Sequence, residues 1–298
     1  MKSPLQGTFL FSLMPAFYIY NGKFFQQGEN CISPDSRAFR YGDGLFETMV
    51  VQNNTLRLAD LHFKRLFEGL TLLKFDIPQI FTPTYLQEQI INLVQKNKLP
   101  DARIRLSVFR GDGGLYDLVN LQPNYIIQCG PLPNEVKYFN EEGWQIDVYP
   151  LAQKSMDAFA NIKSANYLPY VMAALFAREK QLNDCLIMNT AGRIADSTIA
   201  NIFLIKGDYL FTPPLSEGCV AGVMRRFLID NQAALNITII EEPFSYKQLE
   251  EGDEMFLTNA AYGIRWVKQM GSKKFGNSFT KTIYQNLMRR LHFPQLSG

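Results

Sequence analysis

Hydrophobic and polar positions alternate along the first part of the chain with the two-residue period of a strand. Phe17-Tyr18-Ile19-Tyr20 and Lys23 to Phe25 flank Asn21-Gly22, a dipeptide suited to a tight turn, and together they predict a hairpin. Leu45 to Gln52 is a second alternating run, turning at Asn53-Asn54 into Thr55 to Leu58. From Asp60 the period lengthens: Leu61, Leu66, Leu70 and Leu73 fall near one face of a helix, with Asp60 as its expected cap. Tyr85 to Gln95 predicts another helix. Ala102 to Phe109 returns to alternation through Ile104, Leu106 and Val108, and Tyr125-Ile126-Ile127 predicts a further strand.

Pro131, Pro133 and the polar run Asn140-Glu141-Glu142-Gly143 break the pattern and mark a linker or crossover. Beyond it the sequence predicts strands at Gln145 to Tyr149, Cys185 to Asn189, Asn201 to Ile205 and Tyr209 to Phe211, the last two joined at Gly207-Asp208. Further strands are expected at Ile237 to Ile240, Met255 to Thr258 and Ile264 to Val267. Helices are expected from Tyr167 to Gln181 and, after Gly222, through Arg226 to Ala234. These elements predict a mixed α/β (α+β) protein of two domains. A small N-terminal α/β domain spans residues 1–130, with an extension over about 1–16, and a larger β-rich domain spans 131–298.

Composition narrows the partners. Of 298 residues, 47% are apolar and 19% charged, and 30 basic against 28 acidic residues leave a net charge of +2. No broad field exists to draw nucleic acid or an anionic membrane, so a small molecule is the expected partner. No apolar run is long enough to span a bilayer. The run Thr8 to Met14 is interrupted by Pro15 with no small-x-small cleavage site after it, so it is not read as a secretion signal. Cys31, Cys129, Cys185 and Cys219 show no metal or paired-redox spacing, and reduced thiols in a cytoplasmic protein are expected. With only His62 and His292 in the chain, triads and multi-histidine metal sites have little to draw on, and no metal is expected. Catalysis must lean on lysine.

Lys163 is the candidate. It stands in Asn161-Ile162-Lys163-Ser164-Ala165-Asn166-Tyr167, after the apolar Ala158-Phe159-Ala160, where partial desolvation makes an amine nucleophilic. In another setting it would be an ordinary solvated charge. Asp196, in Gly192-Arg193-Ile194-Ala195-Asp196-Ser197-Thr198, is either a turn residue or a carboxylate for a ring nitrogen. Gly222 opens a helix at Val223-Met224-Arg225, where amides can meet a phosphate. Arg65 is either an exposed helix arginine or a phosphate partner. Gly111-Asp112-Gly113-Gly114 lacks the lysine and serine of a P-loop and reads as a flexible turn near substrate. An amine for an aldehyde, a carboxylate for a ring nitrogen and donors for a phosphate are what pyridoxal 5'-phosphate requires.

Together these segments resemble the class IV aminotransferases, the fold-type IV pyridoxal-phosphate enzymes with a D-amino-acid aminotransferase-like fold, over about Tyr18 to Val267. The resemblance implies that Lys163 is the cofactor lysine and that Tyr167 lies near the cofactor's phenolic oxygen. It makes Arg65, in His62-Phe63-Lys64-Arg65-Leu66, the phosphate arginine. It places the amides of Val223 and Met224 at the phosphate, and Asn259 of Thr258-Asn259-Ala260 in the cofactor loop. A homodimer is implied as well. Asp196 occupies the family's glutamate position, one methylene short.

Arg40-Tyr41-Gly42-Asp43-Gly44-Leu45-Phe46-Glu47-Thr48 is similar to a motif of the 4-amino-4-deoxychorismate lyases, as are Phe109-Arg110-Gly111-Asp112-Gly113-Gly114-Leu115-Tyr116 and Thr258-Asn259-Ala260. Tyr41, Phe46, Arg105 and Arg110 are accordingly the candidate substrate residues. The lyase reading would yield 4-aminobenzoate and pyruvate, with Lys163 as the general base. Leu115 stands where some lyases carry an arginine, and Arg105 matches an arginine of bacterial branched-chain aminotransferases. A branched-chain or D-amino-acid aminotransferase is therefore the alternative. A cofactor-binding protein without turnover is the third reading, motivated by Asp196 and Leu115.

Overall fold

A computed structural model of the protein describes residues 17–29, 31–115 and 120–292. The N-terminal extension, the Thr8 to Met14 run, Tyr116 of the glycine-rich loop and the side chain of His292 lie outside the described residues. The chain divides into two compact units, and the segment Ile162–Tyr167 clusters with the N-terminal one.

The N-terminal unit is built on six strands: β1 (Phe17–Tyr20), β2 (Lys23–Gln26), β3 (Gly44–Gln52), β4 (Thr55–Leu56), β5 (Ala102–Arg110) and β6 (Pro123–Pro131), in the order β2-β1-β6-β5-β3-β4. All pairings are antiparallel. Its helices are α1 (Arg37–Tyr41), α2 (Ala59–Leu72) and α3 (Pro83–Lys96). The tight turns need left-handed backbone at Asn21 and Gly22 (φ 48° and 79°) and at Asn53 and Asn54 (φ 50° and 58°), conformations that Asn and Gly adopt readily. Period-two patterning sends Ile104, Leu106 and Ile127 into a core with Leu66 and Leu70 of α2 and Leu86, Ile90 and Leu93 of α3. Each of these side chains is fully buried, contributing roughly 1.5–3 kcal/mol.

Asp60 is not the cap of α2. Leu58, in left-handed backbone at φ 53°, holds that position without a side-chain hydrogen bond, and Asp60 sits in the first turn, where its charge complements the helix dipole. Helix α3 has the side-chain cap that α2 lacks, the Thr82 hydroxyl accepting from the Tyr85 amide.

The C-terminal unit carries nine strands: β7 (Trp144–Lys154), β8 (Asp184–Asn189), β9 (Ile194–Ser197), β10 (Asn201–Lys206), β11 (Tyr209–Thr212), β12 (Thr238–Glu241), β13 (Glu254–Asn259), β14 (Gly263–Met270) and β15 (Lys273–Lys274). Their order is β12-β11-β10-β13-β14-β7-β8-β9, with β15 on β14. Its helices are α4 (Leu168–Glu179), α5 (Val223–Asp230), α6 (Gln232–Leu235), α7 (Tyr246–Glu250) and α8 (Ser278–His292). The helix expected through Ala234 is two helices, because the chain leaves helical geometry at Asn231. Strand β7 does not stop near Tyr149. It runs past Pro150 to Lys154, with a register shift against β8 between Val148 and Gln153 that accommodates the proline.

Candidate active site

Lys163 is held by main-chain bonds to β3. The Phe46 amide donates to the Lys163 carbonyl at 3.0 Å and the Ala165 amide to the Gly44 carbonyl at 2.8 Å, so the lysine segment behaves as a short added strand. Gly44 is required there, since a Cβ would lie 2.5 Å from the Val108 carbonyl oxygen. The Lys163 ammonium stands 4.5 Å from the Phe46 ring centre and 5.4 Å from that of Tyr167, while the two rings pack edge to face. Arg105 places its guanidinium 4.0 Å from the same Phe46 ring. Its pKa is lowered by burial and by Arg103 beside it. Thus Lys163, Phe46, Tyr167 and Arg105, found from sequence as separate candidates, form one cluster.

Arg65 is anchored at the far side of β3. Leu45, Met49 and Val51 face the core under the helices, and Glu47 shares their parity but carries a charge. Its carboxylate accepts Arg65 Nε at 2.7 Å and Nη2 at 2.5 Å, and contacts His62 Nδ1 at 2.7 Å. Burial alone would raise the pKa of Glu47, but the Arg65 guanidinium and His62 overcome it and hold the group down to about 2. Burial lowers the pKa of His62, aided by the charges of Arg65 and Lys163. His62 Nε2 is buried without a hydrogen-bond partner.

Tyr41 and Arg110 sit differently. The Tyr41 ring lies under Arg37 and Arg40. Arg110 is 5% exposed, paired with Asp43, donating to the Leu73 carbonyl and packed on the Phe75 ring. Asp43 also takes Arg37 Nε at 2.9 Å, and Arg37 reaches the Leu115 carbonyl at 2.5 Å. The Asp43 carboxylate therefore ties the Gly42-Asp43-Gly44 turn to the glycine-rich loop, and the guanidinium of Arg110 is committed to that tie.

In the C-terminal unit Asp196, on β9, is 2% exposed. One of its oxygens receives Lys154 Nζ at 3.0 Å, the Val220 amide at 2.9 Å and the Tyr170 hydroxyl at 3.2 Å. Asn201 donates to the Val220 carbonyl at 2.8 Å, and a Cβ on Gly222 would meet the Asn201 side-chain oxygen at 1.8 Å, so glycine is required for this close approach. Helix α5 then starts at Val223 and Met224 with no side-chain cap, leaving its dipole and first-turn amides available to an anion. The Ala221 amide donates to the Asn161 carbonyl, two residues before Lys163. Asn259 builds its own turn: its side-chain oxygen accepts the amides of Ala261 and Tyr262, and its nitrogen donates to Ile199.

Three partners escaped the sequence reading. Glu47 had a signal, a charged residue at an inward position of an otherwise apolar strand face. His62 had one in its spacing three residues before Arg65 on α2. Lys154 had none, being hidden behind a proline that usually ends a strand.

The class IV amino-transferase family model matches residues 44–270. An aminodeoxychorismate lyase of Bacillus subtilis is 26% identical, covering 82% of this chain and 83% of its own. Among solved structures, the 4-amino-4-deoxychorismate lyase of Pseudomonas aeruginosa superposes with a TM-score of 0.81 at 25% identity, covering 93% of this chain and all of its own. The branched-chain aminotransferase of the archaeon Thermoproteus uzoniensis, solved with norvaline, gives 0.85 at 23%, covering 95% and 96%. The match across most of the chain, on a fold these structures share, places the protein in the class IV aminotransferase family.

Proposed function

We propose that the protein is a pyridoxal-5'-phosphate enzyme acting on an amino-carboxylate, with Lys163 as its catalytic amine. The observation that carries this reading is the Lys163 ammonium seated on the Phe46 and Tyr167 rings, with the Arg105 guanidinium on the same Phe46 ring. The donor set fits the cofactor. Lys163 supplies an amine for the aldehyde, Arg65 and the uncapped start of α5 supply donors for the phosphate, and Asp196 supplies a carboxylate for the ring nitrogen. Tyr167 is assigned to the phenolic oxygen and Asn259 to the turn bordering the site. When bound, the cofactor supplies an electron sink for charge developing at the substrate's α-carbon. Arg105 receives the substrate carboxylate, Phe46 and Tyr167 exclude water, and Lys163 takes and returns the α-proton.

The finer reading is 4-amino-4-deoxychorismate lyase, supported by the three motifs at residues 40–48, 109–116 and 258–260 and by the similarity to two such lyases. A second reading, aminotransferase of branched-chain or D-amino acids, is favoured by Arg105 on the Phe46 ring that Lys163 also contacts. The apolar stripe of α4, with Leu168, Val171, Met172 and Leu175 all exposed, supports pairing of two copies. Borohydride reduction is expected to fix the cofactor to Lys163, and Lys163→Ala to lose the visible absorption band together with activity. An unchanged spectrum in that variant overturns the assignment. Aminodeoxychorismate, and in parallel branched-chain and D-amino acids with a keto acceptor, then decide the reaction. Aminobenzoate without amino transfer establishes the lyase, and the reverse result removes it.

A further inference from the structure

Helices α2 and α3 share a core with one face of the N-terminal sheet, and the strand alternation sends a second set of side chains to the other face. Ile104, Leu106 and Val108 of β5 lie in that core, so Arg105, Ser107 and Phe109 point away from it, as do Phe46 of β3 and Ile126 of β6. The register sets Phe46 opposite Ser107, and Ser107 opposite Ile126. Here the sheet borders a cavity of about 270 Å3. Ser107, Phe109 and Ile126 line it from the strands, Ala165 from the lysine segment, and Ile32 and Phe39 from the chain leading into and through α1. No charged side chain among the described residues lines it. Ile32 and Phe39 are 39% and 78% exposed, large apolar surfaces left to water.

The cavity adjoins the lysine cluster on one side and a polar hollow on the other. Gly44, which also lines it, stands two residues before Phe46 on β3, a separation of about 6.6 Å that a side group of several carbons covers. Arg105 pairs with Thr48, two residues after Phe46, so the guanidinium and the cavity flank the ring that Lys163 contacts. The second hollow, of about 380 Å3, shares Ile32 and Ile126 with the first and is lined beyond them by Tyr18, Glu29 and Gln128. The wholly uncharged lining therefore ends at Ile126.

We propose that this cavity receives the side group of the substrate, and that the group is an extended hydrocarbon, a chain or a ring, with no charge of its own. The inference rests on the reading of Lys163 and Arg105 as the amine and the carboxylate partner of an amino-carboxylate enzyme, and it names the class of that substrate. With the carboxylate on Arg105 and the α-carbon at Lys163, the side group has the cavity ahead of it. A second carboxylate placed there would be desolvated with no cation to meet it, so it has to stay outside. Each methylene buried there should tighten binding about fourfold.

The test titrates the cofactor-loaded enzyme with 2-methyl-2-amino acids, which carry no α-proton for Lys163 to remove, and reads binding from the visible spectrum. Lengthening the side chain one carbon at a time should tighten binding about fourfold per methylene, levelling off once the chain passes Ile126. The same compounds tipped with a carboxylate should lose that gain. Ser107→Phe, which fills the cavity, should weaken the longest compound about tenfold or more and leave the shortest within about twofold. Phe39→Ala, at an exposed position, should weaken the longest compound about three- to tenfold. Binding indifferent to chain length, or carboxylate-tipped compounds that bind as well as the hydrocarbon ones, overturns the inference, while cofactor attached to Lys163 in the same preparation keeps the reading beneath it. Cofactor not attached to Lys163 overturns both. The wild-type series decides even if Ser107→Phe does not fold.

Discussion

Glu47 in the N-terminal unit and Asp184 in the C-terminal unit are carboxylates buried to the same degree, 1% and 2% exposed, with opposite proton affinities. Glu47 is held down to about 2 from an ordinary 4.5, although burial pushes the other way. Asp184 is pushed up to about 6 from 3.8, burial outweighing the bonds it accepts from Thr198 and Ser197 and from the Cys185 and Thr198 amides. The difference lies in the kind of partner. Glu47 has a bidentate guanidinium and an imidazole, whereas the hydrogen-bond partners of Asp184 are neutral donors, and its second oxygen is buried without a partner. Neutral donors offset part of the desolvation of a charge, while a counter-charge reverses its sign.

Breaking the first half of this comparison should have the largest effect. Glu47→Gln leaves the Arg65 guanidinium, 13% exposed, without its carboxylate, and removing one partner of a buried pair typically costs about 3–5 kcal/mol. We expect that loss in urea unfolding at pH 7, with weaker phosphate-dependent cofactor binding. The pH dependence follows from the lowered value. The contribution of Glu47 is present above pH 4.5 and is lost as pH falls through about 2, worth about 3 kcal/mol over the window. A variant as stable as wild type at pH 7 would show that Arg65 does not need this anchor.

Asp184→Asn sharpens the other half, with an effect of at most about 3 kcal/mol and the opposite sign. A raised value means that Asp184 contributes stability below pH 3.8 that is lost as pH rises through about 6. The amide oxygen of asparagine can keep the bonds from Thr198 and Cys185 that Asp184 Oδ1 now accepts. The slope of stability between about pH 4 and 6 should therefore flatten in the variant. Retention of the full wild-type slope would place its origin in another group.

Much of this contrast was open to sequence reading, and the rest was closed for identifiable reasons. The hairpins at Asn21-Gly22 and Asn53-Asn54, the alternation of β5 and the helix over Tyr85 to Gln95 follow from local rules, so they emerge where the sequence predicts them. Lys163, Phe46, Tyr167 and Arg105 could be named one by one, but that one aromatic ring contacts both cations depends on the register Phe46 to Ser107 and Thr48 to Arg105. Strand β9, four residues beginning at Ile194, is too short for a period to show. The partner of Asp196 lies 42 residues before it on another strand. Long-range pairing of that kind leaves no local signature.

Arg105 is a third case, a half-buried cation packed on an aromatic ring, and its burial lowers its pKa where a carboxylate partner would raise it. Arg105→Gln should leave cofactor attachment at Lys163 intact and weaken a carboxylate-bearing substrate by about 1.5–3 kcal/mol, which is about 10- to 100-fold in KM. Equal KM values with and without the guanidinium would remove Arg105 from substrate recognition.

The smallest effect belongs to a pair in water. Lys206 and Glu251 meet at 3.0 Å, a distance equal to that between Lys154 and Asp196, but the side chains are 55% and 53% exposed. Their attraction is screened by solvent and salt, and holding two long side chains in one geometry opposes it. Lys206→Ala is expected to change unfolding free energy by less than about 1 kcal/mol, and less again at high salt. Because the two pairs share a separation, the comparison isolates burial. If the surface variant lost as much stability as Lys154→Met, exposure could not be what distinguishes the two pairs, and the opposite behaviour of Glu47 and Asp184 would need a cause other than the company each keeps in the dry interior.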